Sequence, residues 1–232
     1  MSSYFTAFPT VENPLSEGGL WLAGGVVGLD WQNPYVPSAG LVRAPDGGSV
    51  DAAAILDPAH FTFANDQWAW GKVVNNIASG YNEVDIELRC AMSANWYTGY
   101  DICATMEPAG GGPWADVSVC ARLGIASPDE EAYAAIGNLA NSARWVTGDK
   151  LAVKITGWVI EVFKNGASMG TVTDTTHYYA GGMPGLAAGE SASHASGFSM
   201  WKAGEGAIDY AESGPPAGVD HIRRPLVHSQ RA

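Results

Sequence analysis

Basic residues are scarce in this sequence, and their scarcity argues against partners that carry negative charge. The 232 residues include 12 Lys and Arg against 24 Asp and Glu, which gives a formal net charge of −12. A chain of this charge repels the phosphate backbone of nucleic acids and the anionic surface of membranes. We therefore expect neither nucleic acid nor a membrane surface as a partner.

Cysteines and long apolar runs are also rare. Cys90, Cys103 and Cys120 lie in apolar stretches without metal-ligand spacing, so we expect small buried side chains and no disulfide framework. No stretch approaches the ~18 apolar residues of a membrane-spanning helix. The first residues lack the basic and apolar regions of a secretion signal. We expect synthesis in a cytoplasm without a signal peptide, and no membrane span.

Glycine and tryptophan are abundant instead, with 29 and 9 residues. Frequent glycine indicates frequent tight turns, and aromatic residues are typical of pleated strands. In residues 148–173, Leu151, Val153 and Ile155 alternate with other side chains, and Asn165-Gly166 suits a type I′ hairpin turn. Further strands are predicted at 67–74, 83–91, 99–106 and 115–122. The pattern predicts an all-β fold, a two-sheet antiparallel β-sandwich or jelly roll.

Two segments depart from this pattern. Ser127-Pro128-Asp129 has the composition of a helix start, which predicts a short helix near 128–140. Beyond Ala203 apolar residues become few, so we assign residues 1–203 to the sandwich and 204–232 to a C-terminal extension or anchoring tail. Residues 1–221 carry 9 basic and 24 acidic groups, whereas 222–232 carry no acid and three arginines, namely Arg223, Arg224 and Arg231. This basic tip is either a partner-binding anchor or a solvated terminus.

Several short motifs occur in a recognisable order along residues 5–203. They are Asn65-Asp66-Gln67-Trp68, Thr98-Gly99-Tyr100, Gly148-Asp149-Lys150-Leu151, Thr173-Asp174-Thr175 and Pro184-Gly185. In this order they resemble the concanavalin A-like lectin/glucanase superfamily, specifically the laminin G-like jelly rolls of phage head and tail proteins. The resemblance implies two packed antiparallel sheets with the first and last strands adjacent. It also implies a non-enzymatic module on a virion surface that binds host glycans, neighbouring virion subunits or further copies of itself.

An enzymatic alternative comes from Glu83-Val84-Asp85-Ile86-Glu87. Period-2 spacing places the three carboxylates on one strand face. The motif resembles the E-x-D-x-E signature of laminarinase-type glycoside hydrolases, which implies Glu83 as nucleophile, Glu87 as general acid/base and Asp85 as the tuning residue. The alternative interpretation is an acidic stripe on a solvent-facing strand, continued and partly neutralised by Arg89.

Loop aromatics are the candidates for sugar binding, because sugar rings have apolar faces that stack on aromatic rings. We select Trp96, Tyr97, Trp114, His177 and Tyr178 as candidate ligand-binding residues, since each lies in a predicted turn or loop. Each of them has core or edge packing as its alternative. Trp68, Trp70 and Trp158 are instead expected in the core.

Metal and cofactor signals are weak. Asp46, Asp51 and Asp57 lie near a predicted sheet edge and are the candidates for calcium, although no clustered acidic loop occurs. The five histidines form no zinc-type set with the cysteines. We expect no cofactor and no metal site. A decoration protein without any ligand is the third class of function, beside the lectin and the hydrolase.

Overall fold

The protein is a two-layer β structure in which the main apolar core lies between two antiparallel sheets. The computed structural model describes residues 2–29, 31–46, 49–77, 82–94, 96–106, 117–124, 133–140, 144–191 and 196–213. Within these ranges the elements are β1 Ser3–Thr6, β2 Trp21–Ala23, α1 Gly24–Val27, β3 Tyr35–Ser38, β4 Leu41–Arg43, β5 Ser49–Leu56, β6 Gln67–Val74, β7 Asn82–Ser93, β8 Trp96–Met106, β9 Val117–Leu123, β10 Tyr133–Leu139, β11 Lys150–Thr156, β12 Val159–Lys164, β13 Ala167–Thr173, β14 Met183–Ser191 and β15 Gly197–Glu205. The predicted all-β sandwich is confirmed.

Strand order shows how the two sheets are connected. One sheet has the order β13-β12-β11-β6-β15-β4-β3, with β1 also paired to β15, and the other has the order β10-β9-β8-β7-β14-β5-β2. The pairing of β1 with β15 runs from Ser3↔Gly204 to Thr6↔Trp201. The first and last strands are therefore adjacent, as the resemblance implied.

Alternating side chains form the core, as period-2 patterning requires. Val84, Ile86 and Leu88 of β7 and Val153 and Ile155 of β11 all belong to the main buried cluster. Strands β11 to β13 form a three-stranded meander, whose second turn contains the left-handed pair Asn165 (φ 52°) and Gly166 (φ 83°) at the predicted hairpin turn. This pair suits a type I′ hairpin turn, which requires positive φ at both central positions.

The helix expected near 128–140 is wrong over its described part. Residues 133–139 form strand β10, which pairs with β9 from Tyr133↔Arg122 to Leu139↔Val117. Backbone pairing with β9 along the sheet edge outweighs the high helix propensity of the alanines, because tertiary context routinely overrides intrinsic propensity. Residues 128–132 lie outside the described part of the chain. The four-residue helix α1 lies elsewhere, and the helical content described is too short to cross a bilayer.

The C-terminal segment continues beyond the expected boundary at residue 203. Strand β15 ends at Glu205, and residues 206–213, the C-terminal strap, pack on the side of β6 turned away from the main core. There Ile208 and Tyr210 join a second apolar cluster around Trp68 and Trp70. Both tryptophans are buried as expected, but beneath the strap. Arg223, Arg224 and Arg231 lie outside the described residues.

Candidate functional site

Strand β7 places a row of carboxylates on the side of its sheet opposite the main core. The acidic face consists of Glu83, Asp85 and Glu87 with Asp101 of β8 and Asp51 of β5. The register explains the proximity, because Glu87 pairs with Asp101, while Glu83 and Asp51 both pair with Gly189. Asp85 is 1% exposed and Glu87 is 0% exposed. The acidic face is thus a largely buried feature.

One cation of β9 faces these carboxylates. Arg122 forms an ion pair through Nη2 with Asp101 Oδ2, and its guanidinium lies 4.6 Å from the centre of the Trp31 ring. Burial alone would lower the pKa of Arg122, but Asp101 and Glu87 raise it well above its usual value. Arg122 therefore stays charged and neutralises part of the acidic face.

Burial alters the protonation of the acids themselves. Desolvation, with a further contribution from Asp101, raises the pKa of Glu87 to about 8, so Glu87 is mainly neutral at pH 7. Desolvation also raises the pKa of Asp101 to about 6, against the opposing effect of Arg122. The pKa of Asp85 is raised well above its usual range by burial and then by Asp101.

This geometry does not favour the hydrolase. A retaining glycosidase needs both working carboxyls in contact with substrate, yet Glu87 and its neighbour Asp85 are enclosed. The solvent-facing stripe is likewise wrong for these two side chains, since only Glu83 is partly exposed. Sequence alternation indicated a shared face correctly but carried no information on what covers that face.

Arg89 does not continue the acidic face. A register shift between Leu88 and Ala91 and a left-handed backbone at Arg89 (φ 54°) interrupt the alternation. Its side chain donates from Nε to the carbonyl of Asn65 (2.6 Å) and from Nη1 to the carbonyl of Tyr179 (2.9 Å). The arginine is 2% exposed and supports a different surface at the end of the sandwich.

That surface is an exposed aromatic pair. The aromatic platform consists of Trp158 and Tyr178, whose rings meet edge to face with centres 5.1 Å apart. Trp158 is 36% exposed and Tyr178 is 46% exposed. The guanidinium of Arg89 lies 5.3 Å from the Trp158 ring centre and holds the ring by a cation–π contact. The expectation that Trp158 lies in the core is therefore wrong. Its position directly after the turn residue Gly157 was the sequence feature that could have indicated exposure.

A buried carboxylate fixes the loop that carries Tyr178. Asp174 accepts backbone hydrogen bonds from Thr176 (2.9 Å), His177 (3.0 Å) and Tyr178 (2.7 Å), and one from the Tyr100 hydroxyl (2.6 Å). Although burial opposes it, this set of donors lowers the pKa of Asp174. The loop is thus anchored at three consecutive amides, so the platform is preformed.

Polar groups surround the platform. Asn65, Asp66, Thr175 and Thr176 are exposed beside it. Asp66 accepts a hydrogen bond from the Gly157 amide (2.9 Å) and lies 3.5 Å from Arg89 Nη2. Apolar ring surface with a few polar groups at its edge is an arrangement that small-molecule sites use.

The predicted ligand-binding residues occupy different positions. Tyr178 is part of the platform, and His177 is a partly buried neighbour stacked on Tyr179. Trp96 is 50% exposed and packs over Gly124, on the end of β8. Tyr97 is only 1% exposed and contacts Trp31, so it is not available at the surface. Trp114 lies outside the described residues.

The three acids considered for calcium do not meet in one site. Asp46 forms an ion pair with Arg43, and Asp57 accepts a hydrogen bond from the Ala59 amide (2.7 Å). Asp51 lies on the acidic face, six residues before Asp57 on an extended strand. These residues do not fit a calcium ion.

Comparison with solved structures identifies the fold. The carbohydrate recognition domain of Emp46p in its metal-free form superposes with a TM-score of 0.59 at 11% identity, covering 88% of this chain and 96% of that domain. The potassium-bound form of the same domain gives a TM-score of 0.57 at 12% identity, covering 88% and 100%. The exoplasmic domain of VIP36 with Ca²⁺ and mannose bound gives 0.56 at 14% identity, covering 89% and 93%.

The chain has the concanavalin A-like fold. No protein-family model and no curated protein matches the sequence. At this level of identity the likeness establishes the concanavalin A-like sandwich and leaves function to be argued from residues.

Proposed function

We propose that the protein is a glycan-binding module, and that the aromatic platform is the surface on which a sugar ring stacks. The observation that carries the proposal is the preformed, exposed pair of Trp158 and Tyr178. Arg89 and Asp174 hold the pair in place, so little ordering entropy is lost when a ligand binds. The exposed groups of Asp66 and Thr175 lie where sugar hydroxyls need partners.

The similar structures support the same class of ligand. One of the VIP36 structures is a mannose complex, and the Emp46p domain is described as a carbohydrate recognition domain. The concanavalin A-like fold of this chain is compatible with carbohydrate binding, and the aromatic rings and polar groups of the platform would make the contacts with the sugar.

Removing one platform ring should weaken glycan binding measurably. A tryptophan side chain presents about 250 Å², so the 36% of Trp158 that is exposed amounts to roughly 90 Å². Covering this area at about 25 cal/mol per Å² contributes about 2 kcal/mol, which corresponds to about 30-fold in Kd. We therefore expect Trp158→Ala to weaken binding by about this factor, and Tyr178→Phe to weaken it far less than Tyr178→Ala.

A glycan array on the purified chain, followed by calorimetry on the best sugar, is the test. Tyr133→Ala is the matched control, because Tyr133 is a 54% exposed tyrosine outside the platform. Retained affinity in both Trp158→Ala and Tyr178→Ala would refute this location. Loss in Trp96→Ala alone would move the site to the end of β8, and no binding across the array would contradict glycan binding as such.

We also propose that the module resides on a virion surface and contacts other virion subunits through its basic C-terminal tip. Support comes from the sequence resemblance to phage structural proteins and from the contrast between an acidic body and Arg223, Arg224 and Arg231. Mass spectrometry of gradient-purified particles from producing cells should detect the chain. Its absence from particles, or unchanged attachment after all three arginines are replaced by glutamate, would contradict the corresponding half of this proposal.

A further inference from the structure

A cluster of metal-ligating side chains lies on the acidic face, away from the aromatic platform. Asp85 and Cys103 are direct cross-strand partners on β7 and β8, and Glu83 is the next residue on the same face of β7. Their candidate ligand atoms all lie within 4.8 Å of one another. The Cys103 thiol donates to Glu83 Oε2 over 2.8 Å. Three strand positions thus direct two carboxylates and one sulfur to a common point.

One carboxylate of this cluster, that of Asp85, has a buried oxygen without a hydrogen-bond partner among the described residues. Asp85 is 1% exposed, and within the described part of the chain its Oδ1 has no hydrogen-bond partner. An isolated buried carboxylate is costly unless it is protonated or paired with a cation. Arg122 is directed at Asp101, so it does not supply that pairing at Oδ1.

A third carboxylate, that of Asp51, lies beside the cluster across a glycine. Gly189 of β14 lies between Glu83 and Asp51 in the sheet. A Cβ on Gly189 would lie 2.7 Å from Glu83 Oε1 and 2.8 Å from Asp51 Oδ1. Only a residue without a side chain leaves this space open, so Asp51 and Glu83 can both lean over the strand toward the same point.

The donor set decides which ion fits. Calcium takes oxygen ligands, six to eight of them, and does not use a thiolate. One sulfur and three carboxylate oxygens make four ligands, which suits a borderline ion such as Zn²⁺, whose ligand atoms stand roughly 3.5 Å apart in tetrahedral geometry. The ligand atoms of Glu83, Asp85 and Cys103 lie within 4.8 Å of one another, so side-chain movements of about 1 Å would bring these three to that spacing. Partly exposed Glu83 gives the ion a route from solvent.

We propose that Glu83, Asp85 and Cys103, completed by Asp51, form a binding site for a zinc-type divalent cation. On binding, Cys103 and any protonated carboxyl of the set release their protons to solvent, and the metal takes the place of those protons. The cation offsets the excess negative charge of the acidic face and ties β5, β7 and β8 together across β14.

Cobalt and zinc titrations of the full chain, after chelator treatment, test the site. We expect one Zn²⁺ per chain, and Co²⁺ should give a thiolate-to-metal charge-transfer band. Cys103→Ser should abolish that band and weaken Zn²⁺ binding at least tenfold. Cys120→Ser is the matched control, because Cys120 is a free thiol on neighbouring β9 outside the cluster. A band that survives Cys103→Ser, or that disappears in Cys120→Ser, would overturn the assignment.

Two further variants separate a metal site from a merely structural cluster. Asp85→Asn removes a carboxyl group whose ionisation is opposed by burial, so the metal-free protein should be at least as stable as the wild type while Zn²⁺ binding falls at least tenfold. Gly189→Ala should reduce Zn²⁺ uptake by filling the space between Asp51 and Glu83. Absence of Zn²⁺ binding to the folded wild-type chain, or binding of Ca²⁺ in preference to Zn²⁺, would refute the proposal.

Discussion

Replacing Asp174 by asparagine should destabilise the protein and loosen the platform loop. Both carboxylate oxygens accept hydrogen bonds: Oδ1 from the amides of Thr176 and His177, and Oδ2 from Tyr178 and Tyr100. The asparagine oxygen can keep the first pair, but its NH₂ group cannot accept from the Tyr178 amide. A buried donor left unpaired costs about 1–3 kcal/mol, and the weaker neutral bonds add to this. We expect a loss of about 2–3 kcal/mol in unfolding free energy at pH 7.

The pH dependence distinguishes this mechanism from a general packing defect. The folded-state pKa of Asp174 is lowered, so its stabilising contribution is present above the unfolded pKa of about 4 and is lost as the pH falls through the folded value. Urea unfolding of wild type and Asp174→Asn should therefore show a stability gap that narrows below about pH 4. Asp57→Asn is the control and should cost less than about 1 kcal/mol, because the asparagine oxygen can still accept the single exposed hydrogen bond from the Ala59 amide. A gap that stays constant down to about pH 2 would refute the reasoning.

Two further predictions concern the sheet that carries the strap. A Cβ on Gly71 would lie 2.3 Å from the ring of buried Phe198, so Gly71→Ala should cost about 1–3 kcal/mol in urea unfolding, and adding Phe198→Leu should recover part of it. A chain ending at Glu205 should be at least about 2 kcal/mol less stable than one ending at Ser213, because Lys202 loses its bonds to the strap and Trp70 loses its carbonyl partner. Equal stability of Gly71→Ala and wild type, or of the two truncated chains, would contradict the corresponding prediction.

The fold was largely predictable because its local signals agree with one another. Strand β6 has the predicted bounds 67–74, and the Asn165-Gly166 turn joins the two strands expected on either side of it. Period-2 alternation also separates the carboxylates of β7 from Val84 and Ile86, which lie in the core. These features depend on neighbouring residues, which a sequence displays directly.

The features that could not be predicted depend on contacts between distant residues. Alternation placed Glu87 on one face with Glu83 and Asp85, but it could not show that Arg122 pairs with Asp101 on that face and lies over Trp31, because these residues are far apart along the chain. At Arg89 the register shift and the left-handed backbone change the direction of the side chain from the one that alternation predicts, and the neighbouring residues of the sequence do not indicate this change. Sequence spacing likewise could not show that Cys103 lies opposite Asp85, because cross-strand register is set by the whole sheet.

The two proposed sites differ in how they relate to stability. The platform depends on satisfied groups, since Asp174 and Arg89 both have partners that hold exposed rings in place. The acidic face instead contains unsatisfied groups, because Asp85 and Glu87 are buried and each has an oxygen without a hydrogen-bond partner among the described residues. Apolar residues would fill such a region at lower cost than uncompensated carboxylates. The stability of the fold therefore gives no reason for Asp85 to lie beside Cys103, whereas a bound cation does. If the site binds a cation at the expense of stability, the metal-free Asp85→Asn variant should be more stable than the wild type and should bind Zn²⁺ more weakly.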